Sequence, residues 1–318
     1  MLVGFDLLWR AKRCARWLLA AVVACAPAAA LRIPADARTQ PIHPGATAFR
    51  IWRADGPEAI YGFVWDRGQK LLSPRVTVGN ALVPGLEVTS RQALRLAGGT
   101  AQPVAAVNGD FFIMSGPGQG ATIGLCVSAG ELVGLAYDRP AFYVRGDGSY
   151  AIGPVSTSVH LTAAGLDLPL TRVNNSRGPD CLTLYTPTWG ASTNTGDDGV
   201  EVALRFADPK VTRLTPRLDT QVEVAQAPVT GRGNQPIPAD AMVLSGSGVF
   251  AAKLGRLAAG QRLRLLAQVT PAVTITEAVG LSESCVKTLL AGSARCTVAD
   301  CTPSIAPMVE ASSPSTAR

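Results

Sequence analysis

Turn-forming residues interrupt this chain so often that little of it can run as long helix. Glycine occurs 32 times and proline 23 times in 318 residues, and short alternating runs lie between them. Glycine weakens a helix interior, proline breaks it, and alternating runs bounded by turn signals read as strands. Residues 48–52 and 59–65 are such runs, joined by Ala54-Asp55-Gly56-Pro57. A run over 69–78 carries Pro74. Hairpin signals stand at Ser128-Ala129-Gly130 and Gly146-Asp147-Gly148-Ser149. Further strands are expected at 181–185, 199–206, 220–229 and 262–269, the last with Leu263, Leu265 and Ala267 on one face. Two segments read as helices. TSRQALRL, residues 89–96, has Thr89 or Ser90 as its cap, packs Ala93, Leu94 and Leu96, and stops at Gly98-Gly99. The other runs from Val249 to about Ala258 and ends before Gly260. The pattern predicts an α+β fold of mixed, mainly antiparallel sheets with a few helices.

The first 30 residues read as an address. Arg10, Lys12, Arg13 and Arg16 precede an apolar run over 17–24 and the small residues Ala28-Ala29-Ala30. The apolar run is too short to span a bilayer, so residues 1–30 are expected to be a cleaved signal peptide and the protein to be secreted or periplasmic. Cleavage removes those four basic groups and Asp6, which lowers the net charge from +6 to +3. No basic cluster interleaved with aromatics remains, so nucleic acid is not an expected partner, and no later run is apolar enough for a membrane span. Cys126 and Cys181 are the two cysteines of the main body; a disulfide between them and two free thiols are both open readings. Cys285, Cys296 and Cys301 lack metal-site spacing.

Chemistry concentrates in residues 103–124, PVAAVNGDFFIMSGPGQGATIG. An apolar strand ends at Asn108-Gly109, a pair suited to positive φ. Asp110, Phe111 and Phe112 follow, then a loop with glycines at 116, 118, 120 and 124. A strand thus delivers an amide and a carboxylate to a backbone that can approach a ligand. Ser245-Gly246-Ser247-Gly248 is a glycine-rich turn into a helix start, suited to an anion such as a phosphodiester, or an ordinary capped helix with Ser247 as N-cap. It lacks a P-loop lysine. Arg177, in the polar loop 172–180, can hold a phosphate oxygen bidentately or stand in solvent. The stretch from Thr193 to Gly199 is rich in oxygen ligands for Ca²⁺ but departs from EF-hand spacing, and a plain hairpin tip is the better reading; no metal or other cofactor is expected. His43 and His160 are the only histidines and no G-x-S-x-G elbow occurs, so acid–base work falls to carboxylates, with Asp110 and Glu277 best placed.

The segments AAVNGDFF, ATIGLCVSAGELV, RPAFYVRGDG, NNSRGPDCLTLYTPTWGASTNTGDDGVEVAL, MVLSGSGVFAAKL and TITEAVG follow one another in this order. Together they resemble the phosphodiester glycosidase domain family, over roughly residues 47–280. The family includes the enzyme that removes N-acetylglucosamine from a phosphodiester to uncover mannose 6-phosphate, and exported bacterial proteins linked to exopolysaccharide. The resemblance implies hydrolysis of a bond between a sugar and a phosphodiester phosphate. It implies catalytic roles for Asn108, Asp110 and Glu277, and a substrate site using Gly109, Phe112, Arg177, Thr193, Ser245, Gly246, Ser247 and Gly248. Asp110 stands where many members have Gly. The family's later segments, resembling RHPRTAIG and NLDGGGSS, do not follow Gly280. From Leu281 the chain is a different, Ser/Pro/Thr-rich tail, expected to be disordered, as if the coding sequence lost its register there. The organisation expected is a signal peptide over 1–30, a lead-in over 31–46, a partial family domain over 47–280 and a tail over 281–318, whose missing strands would leave sheet edges exposed. The alternatives are a non-catalytic envelope protein that binds or assembles exopolysaccharide, and a chain that cannot fold stably.

Overall fold

Short strands separated by turns account for most of the computed structural model, which describes residues 33–54, 58–66, 68, 70–97, 101–137, 139–281 and a strand at 305–312. The expected signal segment, Gly98-Gly99 and the three tail cysteines lie outside the described residues. The chain divides into one compact unit up to Asp66 and another from Arg67. That division falls inside the span expected as a single domain.

The first unit is an antiparallel meander of β1 (Arg38–His43), β2 (Ala46–Arg53) and β3 (Glu58–Trp65). β1 occupies what reads in sequence as a loose lead-in. The Phe49 ring lies where a Cβ on Gly62 would stand, so glycine there lets a cross-strand aromatic fold over the backbone.

The second unit begins with β4 (Leu72–Val78), α1 (Thr89–Leu96) and β5 (Ala101–Ala106). β6 (Cys126–Ser128) and β7 (Glu131–Gly134) form one hairpin, β8 (Arg139–Arg145) and β9 (Tyr150–Ala163) the next. β10 (Leu166–Pro169), β11 (Arg172–Val173), β12 (Leu182–Tyr185), β13 (Gly199–Phe206), β14 (Leu218–Val224) and β15 (Val229–Thr230) follow. β16 (Met242–Ser247), α2 (Val249–Leu254), β17 (Arg262–Thr270), β18 (Ile275–Gly280) and β19 (Ile305–Ser312) complete it. Thirteen strands form one sheet in the order β11-β12-β16-β13-β14-β17-β9-β8-β18-β6-β7, with β10 on β9 and β15 on β13. β11 and β12 pair in parallel and the other pairs in this sheet are antiparallel. The sheet nearly closes. Thr186 and Thr188, just after β12, donate to the Glu131 carboxylate on β7 at 2.8 and 2.9 Å. Leu161, Leu184, Leu204, Leu244, Leu263 and Leu265 pack in its core, and the last two, with Ala267, share one face as their alternation requires.

The fold is β-rich and mainly antiparallel with few helices, as the turn-broken pattern predicts, but not specifically α+β: the described residues hold two α-helices. Finer expectations change, and α2 is shorter than its sequence pattern. α1 has its expected bounds, but Val88 is its N-cap without a side-chain bond. It turns Gln92 inward while Leu94 is 73% exposed, because position 94 lies off the face formed by 89, 92, 93 and 96. Finally, residues 245–247 are the end of β16 rather than a turn, paired with β12 and β13. In the tail, β19 pairs antiparallel with both β4 and β5, so those two strands are bridged where edges were expected. Among the described residues no helix is long and apolar enough to cross a membrane.

Candidate functional site

β5 ends at Ala106, and the chain then enters a loop folded back on itself. Phe112 pairs with Thr122 in an isolated bridge, and Ile123 N–H donates to Phe111 O at 2.9 Å. Phe112 is buried within this loop, while Phe111 is exposed beneath the Arg139 guanidinium, 5.7 Å from its ring centre. Asn108 and Gly109 are half-buried at the loop's entry.

Asp110 has a left-handed backbone, φ 51°, and a fully buried side chain. Its Oδ1 accepts from Phe111 N–H at 2.7 Å and lies 3.8 Å from Arg139 Nη1. Its Oδ2 sits where side chains on Gly124 and Gly280 would be, 2.4 and 2.3 Å from their ideal Cβ positions, and has no hydrogen bond of ordinary geometry. Two glycines distant in sequence make the hole this carboxyl fills. Burial raises its pKa, against the lowering effects of the Phe111 amide and Arg139.

The loop is fastened to the segment before β12. Asn175 Nδ2 donates to Thr122 O at 3.2 Å, and Gly118 leaves room for Ser176. Asn174 is buried and exchanges bonds with Thr186, at 2.9 and 2.8 Å. Arg177 follows, lying flat over the Cα of Gly199 with its side chain only 3% exposed. Its Nη1 donates to Ser245 Oγ at 2.9 Å and its Nη2 to Gly196 O at 2.9 Å; Nη2 also meets the Asp198 carboxylate, whose side chain is 73% exposed.

Ser245 lies in a buried polar row across three strands, with Thr183 on β12 and Glu201 on β13 as its register partners. Glu201 accepts from Thr193 Oγ1 at 2.9 Å, Thr195 Oγ1 at 2.8 Å and Gln235 N–H at 3.0 Å. Thr193 is therefore a buried fastener, and the oxygens of 193–198 face protein donors: Asp197 accepts from Gly233 N–H and Asp198 from Arg177. Among the described residues no group of three or more His, Cys, Asp or Glu is placed to hold a metal.

The remaining expected residues are structural in their contacts. Ser247 Oγ donates to Gly178 O at 2.7 Å and accepts from Cys181 N–H at 3.2 Å. Gly248, φ 55°, is the N-cap of α2, and Asp180 Oδ1 accepts from Val249 N–H at 3.3 Å. A side chain on Gly246 would strike Leu254 and Phe250, so this glycine lets α2 pack on β16. Glu277 is buried and accepts from Arg75 Nη1 at 3.0 Å, Val76 N–H at 3.0 Å and Ala129 N–H at 3.2 Å. Cys126 and Cys181 are free thiols. Arg177 and Ser245 are thus in direct contact, whereas Asp110 packs against Gly124 and Gly280 and the bonds of Glu277 go to Arg75, Val76 and Ala129. Sequence reasoning gave no role to Arg139 or Glu201, and read Asp198 only as one oxygen of the stretch from Thr193 to Gly199. Glu201 carried a signal, a carboxylate inside the alternating run GVEVALRF. A groove of about 600 Å³ opens elsewhere, lined by Glu131, Thr188, Arg205, Arg213 and Asp240 among others, and by none of the expected site residues.

The class that fold and site define is a β-rich protein with a buried guanidinium at the ends of adjoining strands. The sequence matches no protein-family model and no curated protein. The fold is similar to that of a hypothetical protein from Synechocystis, with TM-score 0.60 and 17% identity over 88% of this chain and 53% of that one. It is also similar to a "Putative exported protein" from Burkholderia pseudomallei K96243, with TM-score 0.50 and 16% identity over 83% of this chain and 61% of that one. This chain therefore spans about half the length of the first and about three fifths of the second, and at such identities the likeness is one of fold.

Proposed function

We propose that this chain is an exported hydrolase of the phosphodiester glycosidase type, which releases a sugar from a sugar phosphodiester. Arg177 is the observation that carries the reading. Its guanidinium is buried and fixed by Ser245 and Gly196, while its carboxylate partner Asp198 stands largely in solvent. A phosphodiester oxygen has the charge and the acceptor geometry to replace that carboxylate once Asp198 swings away. Water then adds to the anomeric carbon, the bond from that carbon to the phosphate oxygen breaks, and its electron pair leaves with the phosphate, whose charge Arg177 balances. Asn108 orients the sugar, and the Asp110 carboxylate, whose pKa burial raises, takes the proton that the attacking water loses. Glu277 is a positioning residue in this scheme, since its oxygens already hold backbone amides. Export is supported by the charged-then-apolar first 30 residues and by the name of the Burkholderia protein.

A second reading, a non-catalytic polysaccharide-binding envelope protein, is favoured by the full engagement of Arg177 and Glu277 in protein hydrogen bonds. The test is sugar release from an N-acetylglucosamine 1-phosphodiester by residues 31–318. Release is expected, with Asp198→Asn active and Arg177→Gln slower by about 100-fold or more at unchanged secondary structure by circular dichroism. A folded wild-type chain that releases no sugar defeats the hydrolase reading, and glycan binding without turnover supports the second.

A further inference from the structure

One face of the first unit is built unlike a surface that only has to meet water. Strand alternation and register place Ala46, Ala48, Arg50 and Trp52 of β2 on the same face as Trp65, Phe63, Tyr61 and Ala59 of β3, with Arg38 and Gln40 of β1 beside them. Four aromatic rings thus share a face of three strands. Trp52 is 59% exposed and Tyr61 69% exposed, while Ile51, on the opposite face, is buried. Phe63 and Trp65 stack with centroids 5.5 Å apart, and the Arg50 guanidinium lies 5.3 Å from the Tyr61 ring centre. The charge is as one-sided as the rings. Arg38 and Arg50 are direct cross-strand partners, both exposed, and none of the strand residues on this face is a carboxylate. Like charges placed opposite one another destabilise a strand pair, so something other than strand stability accounts for the arrangement.

We propose that this face binds an acidic polysaccharide, with sugar rings stacking on Tyr61 and Trp52 and the uronate or ester-linked anions meeting Arg38 and Arg50. Flat exposed rings take the apolar face of a pyranose, and paired guanidinium groups take carboxylate or sulfate oxygens with fork geometry. The site is independent of Arg177 and of the hydrolase reading, because the ligand needs no phosphodiester and nothing is cleaved.

The test is binding of residues 31–318 to immobilised alginate, a polyuronate, with dextran as the neutral glycan and single-stranded oligo-dT as a competing polyanion. The expected result is binding to alginate that weakens with added salt, with no binding to dextran. Trp52→Ala with Tyr61→Ala, and separately Arg38→Gln with Arg50→Gln, each weaken it by about tenfold or more at unchanged thermal midpoint. Arg50→Glu, a single exposed change, supplies the check if a double variant does not fold. No binding to alginate, equal binding to dextran, tighter binding to oligo-dT, or full binding by the folded variants would each overturn the proposal. Because sugar release is measured on another substrate, loss of either result leaves the other standing.

Discussion

Replacing Glu277 by alanine removes the acceptor that ties β18 to β4 and to the β6–β7 turn. The buried amide of Val76 and the amide of Ala129, an exposed turn residue, converge on its Oε2, and Arg75 reaches Oε1. The Val76 amide would then face a void, at a cost of about 1–3 kcal/mol, while the Ala129 amide, at an exposed residue, can turn to water and loses about 0.5–1.5 kcal/mol. The Arg75 side chain is half-exposed, so its share is held below about 1 kcal/mol. The sum is about 1.5–5.5 kcal/mol, which overlaps the range for breaking a buried pair from one side. For a unit of this size that lowers the thermal midpoint by about 3–22 °C. Glu277→Gln separates the parts. Its amide oxygen can occupy the Oε2 position and keep both backbone bonds, so it should lose only the Arg75 share. Urea unfolding followed by circular dichroism measures both variants. An alanine variant within about 1 kcal/mol of wild type would refute the clamp, and a glutamine variant as damaged as the alanine would refute the assignment of both amides to one oxygen.

Two further outcomes follow from burial. Asp110 and Glu277 both have pKa values raised by desolvation, so the folded state holds protons that the unfolded chain has released. Their stabilising contribution is complete below the ordinary carboxylate range and is lost as pH rises through the folded values. Asp110→Asn keeps the acceptor for Phe111 and suits a positive φ, so it should flatten that decline and raise stability at pH 7; a variant as pH-sensitive as wild type shows that Asp110 is not the source. Burial, aided by the nearby Asp110 and Glu277 carboxylates, pushes the Cys126 thiol up, whereas Cys181 is partly exposed. Iodoacetamide on the native protein should therefore label Cys181 and leave Cys126 until the chain unfolds, as read by peptide mass, and native labelling of Cys126 contradicts the packing.

Local pattern located most elements. The run GVEVALRF became β13 and TSRQALRL became α1 with the same bounds, because alternation and helical stripes are properties of adjacent residues. The candidate site was legible only as residue types. Arg177 could be read as a phosphate ligand or a solvated side chain, and what decides is Asp198, Ser245 and the bare Cα of Gly199, none of them its neighbours in sequence. SGSG reads as a turn because two glycines suggest one. Pairing with β12 and β13 holds residues 245–247 as strand, and Gly246 is small because α2 lies against it.

The sequence alone determined that this protein is made of short strands with few helices, since glycine and proline act on the backbone where they stand. Only the tertiary structure decided which strand meets which, that Asp110 is enclosed by Gly124 and Gly280, and that Glu277 serves amides about 150 and 200 positions away. A carboxylate's role depends on the water and the donors around it, and those are set by segments that meet only when the sheet closes.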